Sequence, residues 1–159
     1  MLRKKLTPLM LAVAISATAF LMPVNNVQAV TVQQEYINQN RSHQALNPTG
    51  LVIHDTDNEG ATAQNNMDYF NRVYVAASAH YFVDWTQDIQ TIPENEVACH
   101  AGPTAKHRYL SIEMCMPYGH DVARFNQVYQ NTVELAENIC KRHEWNASNI
   151  VSHYWTSMT

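Results

Sequence analysis

The stretch Leu51-Val52-Ile53-His54-Asp55-Thr56-Asp57-Asn58-Glu59-Gly60 decides how the chain folds. Three apolar residues, two of them β-branched, read as a short strand, and the polar, glycine-ended segment after them has the composition of a loop. The strand therefore delivers His54 to a loop. Further along, Thr62 is placed to cap a helix in which Met67, Phe70 and Val73 recur at helical spacing. Ser78 to Trp85 and Ile89 to Ile92 read as two strands joined by a turn at Thr86-Gln87-Asp88, and Pro93 ends the hairpin. Leu110 to Met114 is another short strand. Asp121 is placed to cap a long helix that ends in Lys141-Arg142-His143. Its residues Val122, Phe125, Tyr129, Val133, Ala136 and Cys140 lie on one stripe, expected to cover the sheet. Asn149 to Trp155 reads as a last strand carrying His153. This order of elements predicts an α/β fold, a mixed central β-sheet flanked by helices.

The chain has 159 residues, 46% of them hydrophobic and 15% charged, which is material for one core. Arg3, Lys4 and Lys5 precede an apolar run from Leu9 to Leu21, and Val27-Gln28-Ala29 offers the small residues at which signal peptidases cut. Residues 1–29 are read as a signal peptide, and the product as secreted. The apolar run is shorter than the roughly 20 residues of a spanning helix, which argues against a membrane anchor. Residues 30–49, rich in Gln, Asn and Ser, are expected to form an N-terminal arm over the domain at 50–159. Export implies an oxidising setting, yet the three cysteines, Cys99, Cys115 and Cys140, are an odd set that suits a core folded by burial with at most one bridge. Cys115 and Cys140 are the pair that strand and helix packing would bring close. A formal net charge of -4, with no cluster of Lys and Arg after the signal segment, gives no reason to expect nucleic acid as partner. Internal repeats and a glycine-rich phosphate loop are both absent from the sequence.

Eight histidines are many for this length, and their placement matters more than their number. His54 closes one strand and His153 lies in another, so a sheet can bring both imidazoles to one rim. Catalytic zinc takes three protein ligands and keeps a fourth position open, so two histidines are one ligand short, and no HExxH motif supplies the rest. On the residues alone, a surface or satisfied core role is the commoner fate of any one of these histidines, and the metal reading stays open beside it. Glu113 ends the apolar run Leu110-Ser111-Ile112, where a carboxylate is either a general base with a desolvated pKa or a solvent-facing strand edge. His80 and Tyr81 alternate along a strand, so they face opposite sides, and either is a candidate to contact a substrate. Cys99 beside His100 invites a thiol-peptidase reading, but neighbours on an extended chain point apart.

Six segments in order resemble the type 2 N-acetylmuramoyl-L-alanine amidases, which include phage and bacterial autolytic amidases and peptidoglycan recognition proteins. They are Leu51-Val52-Ile53-His54, Ser78-Ala79-His80-Tyr81-Phe82-Val83-Asp84, Ile92-Pro93-Glu94-Asn95-Glu96, Cys99-His100-Ala101-Gly102, Ser111-Ile112-Glu113-Met114-Cys115 and Asn149-Ile150-Val151-Ser152-His153-Tyr154. The resemblance runs from about Gly50 to the end of the chain. It implies a zinc-holding groove that cleaves the amide between N-acetylmuramic acid and the L-alanine of the stem peptide. On this resemblance His54 and His153 fall on zinc ligands, Glu113 on the base beside the zinc water, and His100 on a groove residue near the substrate. His80 and Tyr81 join His100 as expected substrate contacts. Ala79 stands where some members of the family carry a tyrosine, which leaves Glu113 as the base. Peptidoglycan is the implied partner, the cell wall the implied place of action, and a monomer the expected state.

The family's third ligand, a Cys or Asp before a proline, follows the last histidine together with a lysine, and this chain ends at Thr159 ahead of both. Three accounts are open: a domain whose C-terminal end is missing, which is the one expected and which implies weak zinc affinity and impaired turnover; a non-catalytic muropeptide-binding protein; or a replacement ligand such as Asp55 or Asp57.

Overall fold

Short β-branched and aromatic runs set between polar turns fold here into one sheet, in a computed structural model that describes residues 31–156. The elements are β1 (Val32–Gln34), β2 (Gly50–Asp55), α1 (Ala63–Arg72), β3 (Tyr81–Val83), β4 (Asp88–Gln90), α2 (Gly102–Ala105), β5 (Tyr109–Met114), α3 (Val122–His143), β6 (Ile150–Ser152) and α4 (His153–Thr156). The strands lie in the order β1-β4-β3-β5-β2-β6. The β3–β4 hairpin is antiparallel and the other pairs are parallel, so the sheet is mixed as the element order predicts. The fold carries two corrections at the sheet's edges. Val32–Gln34 of the expected arm pairs with β4 and becomes an edge strand, and the expected last strand stops at Ser152, so His153 begins a helix.

Layering follows from alternation along the strands. Leu51, Leu110, Ile112, Tyr81 and Val83 face α3 and pack on Val128, Leu135 and Ile139. Phe82 and Ile89 face the other way, onto Ala63 and Met67 of α1, while Val52 and Tyr109 meet Ala105 of α2. Leu51, Val52, Leu110 and Ile112 on the central strands are fully buried, as parallel strands covered on both faces require.

Thr62 caps α1 through a reciprocal pair: Asn65 N–H donates to Thr62 Oγ1 and Thr62 N–H to Asn65 Oδ1. The buried Asp84 carboxylate adds a second tie, accepting from Ala63 N–H at 2.8 Å on one oxygen and from Thr86 and Gln87 N–H on the other. One side chain thus locks the start of α1 to the hairpin turn.

Of the expected stripe on α3 only Ala136 and Cys140 are buried. Val122, Phe125, Tyr129 and Val133 are 67%, 38%, 51% and 45% exposed, and the helix turns Val128, Asn131, Thr132, Leu135, Ala136, Ile139 and Cys140 inward. The polar Asn131 belongs to the inner line because the Asp84 carbonyl needs a donor there, and Asn131 Nδ2 supplies it at 2.8 Å. Cys115 packs in the α1 layer while Cys140 rides on α3 across the sheet, so the two are not close, and all three cysteines are free thiols.

Candidate functional site

Strand register builds the site. On β2 and β5, His54 stands opposite Glu113, and Glu113 stands opposite Phe82 of β3. Ile53 pairs with Ser152 of β6, so the next step sets His54 beside His153. Residues in register on parallel strands project from the same face. His54, Glu113 and Phe82 therefore form a row across three strands, on the face that carries α1 and α2, and His153 at the start of α4 extends it past β6.

The row floors a cleft of about 490 Å³. The rings of His54 and His153 lie 4.6 Å apart between centroids at 58°. His54 is buried, Glu113 half-buried and His153 exposed. The walls are small: Ala76, Ala77, Ser78 and Ala79 ahead of β3, and Ala101-Gly102-Pro103 at the start of α2. Ala101 and Gly102 both take left-handed φ, 47° and 77°, which turns the chain sharply after His100. Phe70 of α1 stacks on Phe82 at 5.4 Å and closes one end.

Burial sets the electrostatics. Desolvation, then the nearby His100 and His153, push His54 down to about 3, and desolvation brings His100 to about 4. Both rings are neutral at pH 7, the form that can ligate a metal. Desolvation, then the charge of Asp55, raise the Glu113 carboxyl to about 8. A carboxyl that titrates near neutral pH is suited to exchange protons with a substrate.

Not every expected residue reaches the cleft. His100 does: it is 7% exposed, its Nδ1 lies 3.2 Å from His54 Nε2, and its Nε2 donates to the Tyr109 carbonyl at 3.0 Å. His80 is fully buried behind the wall, accepting from Ser111 N–H at Nδ1 (3.1 Å) and donating from Nε2 to the Glu96 carbonyl (2.9 Å). Tyr81 faces α3, where its hydroxyl donates to Glu94 Oε1 at 2.6 Å beside Arg142 and His143. Neither His80 nor Tyr81 lines the cleft, contrary to expectation. Cys99 does line it, but both His100 nitrogens are engaged elsewhere, so the cysteine–histidine couple of a thiol peptidase is not formed. Lys106 and the Phe70–Phe82 stack are cleft residues the sequence reading did not single out. The runs of small residues at 76–79 and 101–103 were the signal for an open groove.

As donors, the imidazoles of His54 and His153 beside the Glu113 carboxyl suit zinc. The set is incomplete, because among the described residues no three His, Cys, Asp or Glu side chains converge on one point. Asp55 is exposed and alternates to the face opposite His54, and Asp57 is exposed in the loop, so neither completes the set.

Comparison with known proteins adds independent findings. A family model described as N-acetylmuramoyl-L-alanine amidase matches residues 44–159. The N-acetylmuramoyl-L-alanine amidase CwlL of Bacillus licheniformis is 39% identical over 121 residues, which is 66% of this chain and 33% of that protein. A probable N-acetylmuramoyl-L-alanine amidase of the same organism is 37% identical over 120 residues, with the same coverage of 66% and 33%. The chain thus spans about a third of the length of these curated relatives. Among solved structures, the catalytic domain of XlyA superposes with a TM-score of 0.74 at 28% identity, covering 82% of this chain and 88% of that one. PlyL, at TM-score 0.73 and 21% identity over 82% of this chain and 85% of its own, shares the fold.

Proposed function

The chain belongs to the N-acetylmuramoyl-L-alanine amidase family, and from that premise we propose that it hydrolyses the amide between N-acetylmuramic acid and L-alanine in peptidoglycan, with zinc, at the cell wall. The observation that carries the reading is the grouping of His54 and Glu113, paired on adjacent parallel strands, with His153 at the start of α4 just past β6, all three open to one cleft. His54 and His153 would hold the zinc as two of its ligands, and the ion would supply Lewis acidity toward the scissile carbonyl and toward water. Glu113 moves the proton. As carboxylate it takes one from the water attacking the carbonyl carbon, and it returns that proton to the alanine nitrogen as the C–N bond breaks, leaving a carboxylic acid and a free amine. The small-residue walls leave room for a glycan with its stem, and the Phe70–Phe82 stack gives one end of the groove an apolar surface.

Export is part of the same proposal. The signal peptide read at residues 1–29 lies outside the described residues, and no described helix is long and apolar enough to cross a membrane.

A second reading, muropeptide binding without cleavage, draws support from the incomplete ligand set. One experiment separates the two. Purified peptidoglycan is incubated with the protein, with and without added zinc and with a chelator, and new N-terminal alanine is measured. The amidase reading expects zinc-dependent release that chelation abolishes and that Glu113→Gln lowers by about 10²–10⁴-fold. Co-sedimentation with the wall and no release under any condition would replace it with the binding reading.

A further inference from the structure

His54 Nε2 and His100 Nδ1 face each other at 3.2 Å, and a hydrogen bond between two imidazoles needs one donor and one acceptor. The other contact of His100 fixes which is which. Its Nε2 lies 3.0 Å from the Tyr109 carbonyl, which only accepts, so that nitrogen carries the proton. Both rings are 7% exposed, and no carboxylate is hydrogen-bonded to either among the described residues, so burial disfavours a charged ring with no counter-charge in contact to offset it. A neutral His100 protonated at Nε2 has a bare Nδ1. His54 must then donate from Nε2, and its Nδ1 keeps the lone pair, with no hydrogen-bond partner among the described residues.

We infer that His100 is a positioning residue, which relays the Tyr109 carbonyl to His54, holds that ring as its Nε2–H tautomer, and leaves Nδ1 as the nitrogen offered to a ligand. The anchor is part of the sheet itself, since Tyr109 opens β5 in register with Gly50 of β2, the strand that carries His54. A ring fixed in this way has one orientation and a more basic free nitrogen, the standard means of preparing a histidine for a metal. The inference also revises the expected role of His100. With both ring nitrogens engaged it has none left to hydrogen-bond a stem peptide. That the open Nδ1 serves zinc rests on the amidase reading above; the tautomer does not.

The test is long-range ¹H–¹⁵N correlation of the histidine side chains in metal-free protein at neutral pH. His54 is expected with a protonated Nε2 and an unprotonated Nδ1. His100→Phe removes the acceptor and is expected to give His54 a mixture of tautomers. His100→Asn, whose side-chain oxygen reaches the place of Nδ1, is expected to keep the single tautomer. Zinc affinity by calorimetry should fall about 10–100-fold in His100→Phe and less in His100→Asn. A wild-type His54 protonated at Nδ1, or a tautomer unchanged in His100→Phe, overturns the inference. If His100→Phe does not fold, the wild-type spectrum and His100→Asn still decide. Wild-type protein that refuses zinc while showing the Nε2–H tautomer would count against the amidase reading and leave the positioning role standing.

Discussion

Replacing His80 by Leu separates a scaffold histidine from a substrate contact. The ring is fully buried and joins two strangers in sequence, taking the Ser111 N–H on Nδ1 and giving its Nε2–H to the Glu96 carbonyl. Leu fills similar space and satisfies neither group. A buried backbone group left unpaired costs roughly 1–3 kcal/mol, so the pair costs about 2–6 kcal/mol. With a urea m-value of about 2 kcal/mol per molar, the midpoint should drop by about 1–3 M, read from tryptophan fluorescence. His80→Gln, which can still donate to Glu96, should lose roughly half as much. The effect has a pH signature. Desolvation lowers His80 in the folded protein from 6.5 to about 3, so between those values the unfolded chain binds a proton that the folded one does not. The stability this residue contributes is present above pH 6.5 and is lost as pH falls toward 3. From pH 7 to pH 5 the wild type should therefore lose about 2 kcal/mol on this account, and the gap to His80→Leu should narrow by that amount. A His80→Leu protein within about 1 kcal/mol of wild type but devoid of peptidoglycan release would refute the scaffold argument and return His80 to the substrate.

Two further perturbations probe the frame around the site. Asp88 is 2% exposed with one oxygen unpartnered among the described residues, and burial, then Asp84 and Glu134, raise its carboxyl from 3.8 to about 7. The folded protein therefore keeps a proton the unfolded chain loses, a stabilisation present near pH 4 and gone as pH rises through 7. The stability of Asp88→Asn relative to wild type should rise by about 4 kcal/mol from pH 4 to pH 8 in denaturant titrations, and a pH-independent difference would contradict this. On α3, Leu135→Ala should cost about 2–5 kcal/mol, while Val133→Thr on the outer stripe should stay within about 0.5 kcal/mol; equal losses would mean that the buried face has been misassigned.

Local pattern made the elements legible and long-range pairing made the site. The run Leu51-Val52-Ile53 announces a strand, Thr62 and Asp121 announce their helices, and strand alternation already says that His80 and Tyr81 part company. What alternation does not say is which of the two faces which layer, and neither reached the cleft. The row of His153, His54 and Glu113 depends on register between strands dozens of residues apart, which no local signal encodes; it was read through resemblance. The misread stripe on α3 has a specific cause. Asn131 and Thr132 interrupt the true core line with polar side chains, while Val122, Phe125, Tyr129 and Val133 form a cleaner apolar line on the outside. The His54–His100 contact is invisible in sequence for the same reason as the row: its geometry comes from the sharp left-handed turn at Ala101 and Gly102.

The most direct measurement is a zinc titration of the wild-type protein followed through the resonances of its individual histidines. If the two imidazoles clasp a single ion next to the Glu113 carboxyl, His54 and His153 will move together and saturate at one equivalent, while buried His80 stays put. Saturation of His153 without His54, or of exposed histidines elsewhere while both remain unchanged, would contradict the account.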